Sequence, residues 1–310
     1  MPSILTDSAQ TPPPRCHELR LKAIVYRGRL EVVDYPAVPA SEDLLVKPLY
    51  VYVGDVENAI IKGTLPLVKP VILGSVGVVK VIEVLEGWTE YTGKTYSVTP
   101  IGSIGILGVH LNGLLTSYVS IPRSYIDEEL PQPTPLDSIK PLAKHAGEIA
   151  TISEEPVLVE GCGILGILVG LLLRRAGIEP VYYCEERAGR ASALGFNVHS
   201  NVGSLGTKWR TIILTSTSAS SKYALLWGLE YSHVVISPLS FTKWVPLPLS
   251  KVESFKLSVV TRAEHYNAEH VRSVLKDVAR NIKVISVDDV EKALGLLPTR
   301  GLGTVIALKG

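Results

Sequence analysis

Near the start of the second half of the chain, three glycines have the spacing of a phosphate-binding turn. Gly161, Gly163 and Gly166 form the pattern Gly-x-Gly-x-x-Gly between a short apolar segment and an apolar helical segment. The first glycine permits a tight strand-to-helix turn, the second lets the backbone approach a pyrophosphate, and the third allows close packing of the helix. Ile164 and Leu165 would begin that helix, whose N-terminus attracts anions through its free N–H groups. The pattern in this context predicts a dinucleotide-binding turn.

A carboxylate follows at the distance expected for ribose recognition. Glu185 comes 19 residues after Gly166, close to the roughly 20 residues that separate the turn from the ribose-binding acid in dinucleotide-binding folds. A carboxylate there also repels the 2′-phosphate of NADP, whereas Arg187 and Arg190 could attract it. We therefore favour NAD and leave NADP open. The same glycines could also shape the crossover of a fold whose cleft holds no nucleotide.

Around this turn, predicted strands and helices alternate. Val157–Glu160 and Val181–Cys184 are predicted strands on either side of a predicted helix, Ile164–Ala176. Further predicted elements follow in the same order: the strands Thr211–Leu214, His233–Ser237 and Leu257–Val260, and the helix Ala268–Arg280. Alternation of this kind predicts a parallel, doubly wound sheet.

The rest of the chain has a different pattern. Between Leu21 and Pro122, short β-rich runs separated by Gly and Pro clusters predict an antiparallel β domain. A final strand, helix and strand between Ile282 and Leu308 would return to that domain. The sequence therefore predicts an α/β protein with a disordered tail over 1–20, a β domain over 21–141 with 270–310, and a dinucleotide-binding domain over 142–269.

Composition excludes several classes of protein. The 310 residues carry a net charge of +1, with 31 basic against 30 acidic side chains, which argues against a broad nucleic-acid-binding face. The apolar stretch 161–173 has only 13 residues, too few to span a membrane, and the N-terminus does not resemble a signal peptide. We expect a soluble cytoplasmic protein that binds neither nucleic acid nor membrane.

Cysteine is scarce. Cys16, Cys162 and Cys184 are far apart and odd in number, which excludes a four-cysteine zinc site and argues against a disulfide framework. We expect Cys162, inside the glycine-rich turn, to be a small packed residue.

Several segments, in their order and spacing, are similar to a known family. They are Leu21–Tyr26, Leu30–Asp34, Val46–Tyr50, Ile61–Gly63, Lys69–Gly74 and Val157–Gly166. These segments resemble the medium-chain dehydrogenase/reductase family, the zinc alcohol dehydrogenase group, over residues 21–310. The resemblance implies a GroES-like catalytic domain, a Rossmann domain, a cofactor held between the two and, in many members, a catalytic zinc.

At the positions of the zinc ligands this chain departs from the family pattern. Gly54 stands where the family has its first cysteine ligand, Ser75 where it has a histidine, and Lys140 where it often has a glutamate. Only Asp55 and Glu57 remain near the expected pocket, whereas a zinc site needs three or four Cys, His or carboxylate ligands. We therefore predict a site without zinc.

Another electrophile would have to replace the metal. Zinc-free relatives, the quinone oxidoreductase-like reductases, act on activated C=C bonds whose conjugated carbonyl spreads the developing charge, so that a hydrogen-bond donor suffices. Lys140 could place an ammonium where the metal was, with Ser75 or Tyr52 adding a hydrogen bond. Alternatively, Lys140 pairs with Glu57 or Asp55 and only fills the former metal pocket.

Two functions are compatible with these residues. The first is a zinc-independent, NAD(P)-dependent oxidoreductase that transfers a hydride to or from a small carbonyl, enone or quinone-like substrate. The second is a non-catalytic relative that acts as a dinucleotide-binding or assembly protein. His145 could relay a proton or be a packed or surface residue. We expect a homodimer, paired through an exposed strand edge at His233–Ser237 and the apolar run that follows to Leu249.

Overall fold

The structure is a computed structural model that describes residues 21–36, 43–84, 87–240 and 255–309. The predicted N-terminal tail and the apolar run over residues 241–249 lie outside the described residues. Within the described ranges, no helix is both long enough and apolar enough to cross a membrane.

Strands make up most of the first third of the chain and alternate with helices afterwards. They are β1 (Leu21–Tyr26), β2 (Leu30–Tyr35), β3 (Asp43–Val53), β4 (Val71–Ile72), β5 (Val76–Val84), β6 (Thr95–Val98), β7 (Ile101–Gly102), β8 (Gly105–Ile106), β9 (Val119–Pro122), β10 (Ile126–Glu129), β11 (Val157–Glu160), β12 (Val181–Tyr183), β13 (Asn197–His199), β14 (Lys208–Leu214), β15 (Glu230–Ile236), β16 (Lys256–Val259), β17 (Lys283–Val287) and β18 (Thr304–Leu308).

The helices lie mainly in the second half. They are α1 (Asp55–Ile61), α2 (Lys140–Thr151), α3 (Ile164–Arg175), α4 (Ala188–Ser192), α5 (Ala219–Gly228), α6 (Ala268–Ala279) and α7 (Val290–Leu294). Helix α3 is buried along most of its length because nearly all of its side chains are apolar. Helix α6 is amphipathic, and Asn267 caps its N-terminus by accepting hydrogen bonds from the backbone N–H groups of Glu269 and His270.

The first part of the chain forms antiparallel sheets, as the sequence predicts. Among the described residues, one sheet has the order β2-β1-β4, and a larger one has the order β10-β6-β5-β3-β18-β17, with β9 also paired to β3. Strand β3 alternates buried and partly exposed side chains over its first half, so one face packs into the core. The return predicted for the C-terminus is present, because β18 pairs antiparallel with β3 and parallel with β17.

The second part of the chain is a parallel, doubly wound sheet. Its order in the described residues is β13-β12-β11-β14-β15-β16, and each of its ladders is parallel. This is the strand order of the Rossmann fold, in which the connections leave β11 in opposite directions and open a crevice beyond the carboxyl ends of β11 and β14. The predicted fold class, a GroES-like β domain with a Rossmann sheet, is confirmed. The boundaries proposed near residues 141 and 269 stay a prediction.

One expectation about the sheet edge is wrong. The segment His233–Ser237 was expected at an exposed edge, but β15 is paired on both sides, with β14 and with β16. On this side of the sheet the outer strand among the described residues is β16, where the side chains of Leu257 and Val259 are 43% and 45% exposed. The sequence pattern does not distinguish these two strands, because both are short and β-rich.

Candidate functional site

A cleft of about 540 Å³ opens at the crevice between β11 and β14. The glycine-rich turn forms one wall, the end of β12 a second, and the loop 215–221 after β14 a third. Helix α1 of the β domain closes the fourth side with Asp55, Asn58 and Ala59. Ligands of open α/β sheets bind at this place, where the strand order reverses.

The glycines of the turn are required by close contacts. Gly161 has a φ of +105°, and a Cβ there would lie 2.9 Å from the backbone nitrogen of Ser216. A Cβ on Gly166 would lie 2.1 Å from the carbonyl oxygen of Gly161, so only glycine lets α3 start this close to the turn. Gly161 and Gly163 line the cleft, and Ile164 and Leu165 are buried as the first residues of α3. The local geometry predicted for the turn is therefore present.

An anion from the chain itself lies at the N-terminus of α3. The Oδ2 atom of Asp55 accepts a hydrogen bond from the backbone N–H of Ile164 at 3.0 Å, and Oδ1 forms an ion pair with Arg187 Nη1. A Cβ on Gly163 would lie 2.0 Å from Asp55 Oδ2, so the second glycine makes room for this carboxylate. The sequence places Asp55 near a lost metal site and gives no signal for this contact, since the two residues are 109 positions apart.

Glu185 lies at the opposite wall. Its Oε2 atom accepts hydrogen bonds from Ser218 Oγ at 2.9 Å and from Ser220 Oγ at 3.1 Å. Both serines begin α5, where Ser218 also caps the helix by accepting from the backbone N–H of Ser221. Glu185 is exposed and lines the cleft, so its carboxylate is placed to accept hydrogen bonds from a ligand hydroxyl.

Two buried charges shape the third wall, and sequence inspection missed both. The Oε2 atom of Glu160 accepts from the backbone N–H groups of Thr215 and Ser216 at 3.2 and 3.1 Å. Lys222 Nζ donates to the carbonyl oxygens of Ser216 and Ser240 at 2.6 and 2.5 Å, and burial lowers its pKa. For Glu160 the sequence contains a signal: it stands directly before Gly161 at the end of a buried strand. A carboxylate in such a place needs hydrogen-bond donors nearby.

A disulfide bond corrects the expectation about cysteine. Cys162 of the turn is bonded to Cys184, with their Cα atoms 5.8 Å apart. It joins the glycine-rich turn to the residue before Glu185, and both half-cystines line the cleft. The sequence separation of 22 hides the pair in the sequence, but adjacent parallel strands β11 and β12 bring their ends together.

The place of the family's first zinc ligand is filled by an aromatic ring. Tyr52 is 3% exposed, and a Cβ on Gly54 would lie 2.3 Å from its Oη atom. Tyr52 Oη donates a hydrogen bond to the carbonyl oxygen of Leu302 at 2.5 Å, and burial raises the pKa of the phenol well above its ordinary value. The hydroxyl proton is therefore held by a backbone acceptor in the core, and Tyr52 is not among the residues that line the cleft.

Ser75 contacts a carboxylate and is also away from the cleft lining. Glu57 Oε1 accepts from Ser75 Oγ at 2.8 Å and from the backbone N–H of Ser75 at 2.9 Å, while Oε2 accepts from the backbone N–H of Gly54 at 2.9 Å. Burial raises the pKa of Glu57, and these hydrogen bonds oppose the shift. Among the described residues, no three His, Cys, Asp or Glu side chains come together as a metal site.

Lys140 neither places its ammonium in the cleft nor pairs with Glu57 or Asp55, the two placements that the sequence suggests. Its Nζ atom lies 2.7 Å from Glu128 Oε1 on β10, not beside Glu57 or Asp55, and the residue does not line the cleft. Lys144, one turn further along α2, contacts Asp127 and Glu128 at 2.7 and 2.9 Å. The first turn of α2 faces β10, so these lysines and carboxylates join the connector helix to the β domain. The sequence order alone does not show which carboxylate α2 faces.

His145 is a packed residue, one of the alternatives that the sequence leaves open. Its side chain is buried in α2, and Nε2 lies 2.8 Å from Ser237 Oγ at the end of β15. Burial lowers its pKa to about 4, so the ring is neutral near pH 7.

No protein-family model and no curated protein matches the chain. Solved structures resemble it over nearly its whole length. Acetophenone reductase from Geotrichum candidum, in complex with NAD, is 15% identical with a TM-score of 0.67, and the match covers 94% of this chain and 98% of that chain. The match to 2R,3R-butanediol dehydrogenase from Bacillus subtilis has 19% identity and a TM-score of 0.62, and covers 93% and 99%.

A thermostable alcohol dehydrogenase from Pyrobaculum aerophilum is 17% identical with a TM-score of 0.65, over 93% of this chain and 99% of that chain. Likeness at such identities shows the fold alone. The chain therefore has the two-part fold of the alcohol dehydrogenases, as its resemblance to the medium-chain dehydrogenase/reductase family implies.

Proposed function

We propose that the cleft binds a nicotinamide dinucleotide and that the chain is an oxidoreductase working without zinc on a small carbonyl, enone or quinone-like substrate. One observation carries the proposal: the glycine-rich turn, the N-terminus of α3 and Glu185 surround a single cleft at the point where the strand order reverses. The dehydrogenase structures of the same fold, one of them in complex with NAD, support the redox chemistry by analogy.

The residues present fit a dinucleotide over its adenosine half. Glu185 would accept hydrogen bonds from the ribose hydroxyls, and the N-terminus of α3, where the backbone N–H of Ile164 binds Asp55, would meet a phosphate once that carboxylate moved. When bound, the nicotinamide ring supplies the hydride donor or acceptor. The exposed carboxylate of Glu185 in the cleft would repel a 2′-phosphate, which favours NAD over NADP.

Binding is tested by fluorescence titration of NADH and NADPH on the metal-stripped full-length protein. We expect saturable binding, tighter for NADH. If neither nucleotide binds at millimolar concentration, the proposal is wrong. Hydride transfer is tested on a panel of enones, quinones and aldehydes with and without added zinc, and zinc should make no difference.

A second candidate function is dinucleotide binding without hydride transfer. The ring of Tyr52 beside Gly54 favours it, because the family's metal position is occupied by a core side chain. Saturable NADH binding with no turnover on any member of the panel would support this candidate over the oxidoreductase.

The catalytic role predicted for Lys140 can be separated from a structural role. Lys140→Met removes the ammonium, and Glu128→Gln is the matched control because it weakens the same ion pair and keeps the lysine. Loss of turnover in Lys140→Met alone, with NADH binding intact, supports an electrophile. Equal effects of both substitutions on turnover and on the unfolding temperature mean that the ion pair is structural.

Assembly is the remaining part of the proposal. We propose a homodimer, and the pairing edge to examine is β16, the outer strand next to β15 in the described part of the sheet. Size-exclusion chromatography with light scattering should give twice the chain mass of 33.5 kDa. Placing a lysine at Leu257, as Leu257→Lys, should shift the protein toward monomer, whereas a monomeric wild type would contradict the proposal.

A further inference from the structure

Asp55 occupies the position at the N-terminus of α3 where a phosphate-bearing ligand would be held. Its Oδ2 atom accepts the N–H of Ile164 at 3.0 Å, and the carboxylate reaches this donor because residue 163 is glycine. A helix N-terminus binds carboxylates and phosphates through the same N–H groups and the same helix dipole. The side chain of Asp55 is 30% exposed, so a ligand entering the cleft can meet it.

The cation that pairs with Asp55 also has the character of a phosphate ligand. Arg187 contacts Asp55 Oδ1 and lines the cleft. Its φ of +64° is in the left-handed region, which residues other than glycine rarely adopt. Such a conformation persists where surrounding contacts hold it, and the ion pair with Asp55 is such a contact.

A second guanidinium lies nearby with a donor to spare. The Nη1 atom of Arg190 is buried and has no hydrogen-bond partner in the described part of the chain. The charges of Arg187 and Asp55 both act on Arg190, and its pKa is lowered, first by burial and then by Arg187. Arg187 and the N-terminus of α3 thus both contact the Asp55 carboxylate, and the charge of Asp55 also acts on Arg190.

We propose that Asp55 and the phosphate of a ligand compete for the N-terminus of α3 and for Arg187, an inference that rests on the proposed function. A phosphate that enters displaces the Asp55 carboxylate, takes the N–H of Ile164 and one guanidinium, and leaves Asp55 close to a second negative charge. Asp55 therefore lowers the affinity of the cleft for nucleotides and does not affect nucleosides that carry no phosphate. It is a specificity-determining residue for ligands of this cleft.

The test compares two ligands that share an adenosine group and differ in phosphate. Calorimetric titrations of ADP-ribose and of adenosine use the full-length wild type, Asp55→Asn and Asp55→Ala. Removal of one like charge beside the phosphate should tighten ADP-ribose binding by about ten-fold or more. Adenosine affinity should change by less than about two-fold. Asp55→Ala checks that a residual hydrogen bond from asparagine does not conceal the effect.

Glu186→Gln is the charge-matched control. Glu186 is the residue before Arg187 and its carboxylate lies 3.6 Å from Lys62, with no hydrogen bond to α3 among the described contacts. A general electrostatic effect would make Glu186→Gln as effective as Asp55→Asn, and this result would overturn the inference. Equal tightening of adenosine and ADP-ribose in Asp55→Asn would overturn it too, because it would indicate a wider cleft.

The failure of this inference differs from failure of the proposed function. If wild type binds ADP-ribose and Asp55→Asn binds it no more tightly, only the competition is excluded. If wild type and both Asp55 variants bind neither ligand while keeping the wild-type unfolding temperature, both proposals are wrong. If only the Asp55 variants bind ADP-ribose, the competition is supported in its strongest form.

Discussion

Tyr52 and Gly54 share one volume in the core of the β domain: a Cβ on Gly54 would lie 2.3 Å from Tyr52 Oη and 2.7 Å from two ring carbons. Gly54 stands where the family resemblance implies the first zinc ligand, and the buried ring of Tyr52, two residues earlier, packs against it. Any side chain at position 54 must displace that ring, and the ring is fixed by its hydrogen bond to Leu302. The glycine at position 54 and the placement of the Tyr52 ring therefore depend on each other.

Gly54→Ala should destabilise the protein because of this overlap. Inserting a methyl group into a packed core costs about 1–3 kcal/mol of unfolding free energy. In a Tyr52→Leu background the same substitution should cost much less, a coupling of at least about 0.5 kcal/mol in a double-mutant cycle. Urea denaturation measures each variant. Gly206→Ala is the control because a Cβ there meets nothing within 4 Å. Additive effects would contradict the shared volume.

Gly166→Ala should abolish nucleotide binding. The added Cβ would lie 2.1 Å from the carbonyl oxygen of Gly161, and it must push α3 away from the turn. We expect NADH affinity to fall by at least about ten-fold, equivalent to about 1.4 kcal/mol. Gly189→Ala in α4 is the matched control, since its Cβ meets no atom within 4 Å. Equal affinities of the two variants would show that the turn does not hold the nucleotide.

Reduction of the disulfide should destabilise the protein. Cys162 and Cys184 close a loop with a sequence separation of 22, for which loop-closure entropy gives about 3 kcal/mol. Chemical denaturation with and without reductant measures the difference, and mass spectrometry of alkylated protein should find one free thiol before reduction. Cys16→Ser should leave the reductant effect unchanged. The same stability with and without reductant would contradict the bond.

Stability should fall between about pH 6.5 and pH 4 because of His145. Burial lowers the pKa of this histidine to about 4 in the folded protein, and in the unfolded chain it titrates near 6.5. In that window the unfolded chain binds a proton that the folded protein does not, so the free energy of unfolding decreases as the pH falls. The full effect is on the order of 3 kcal/mol.

Urea denaturation at several pH values, for wild type and His145→Asn, isolates this contribution. The variant should lose the part of the pH slope that wild type shows in this window. His199→Asn, whose ring contacts Ser204 near the surface, is the control and should keep it. An identical slope in wild type and His145→Asn would mean that the pKa of His145 is the same in the folded and the unfolded protein.

The sequence by itself determined the fold and the turn. The β-rich runs, the alternating strands and helices, and the Gly161, Gly163 and Gly166 pattern depend on residues close together in the chain, and local periodicity and glycine conformations report such features directly. The prediction of a site without zinc also comes from the sequence, because Gly54 and Ser75 stand where the resemblance implies ligands and residue identity alone decides whether a side chain can bind a metal.

Tertiary structure decided the partners of the charged and reactive groups. Lys140 pairs with Glu128 on β10, Cys162 with Cys184, and Asp55 with the N-terminus of α3. The contacts of Cys162 and Asp55 join segments far apart in the chain, and for all three contacts the choice among several carboxylates or cysteines depends on distances of a few ångströms. Only packing of the sheets and helices sets such distances, so the chemistry at the phosphate position became visible only in the folded chain.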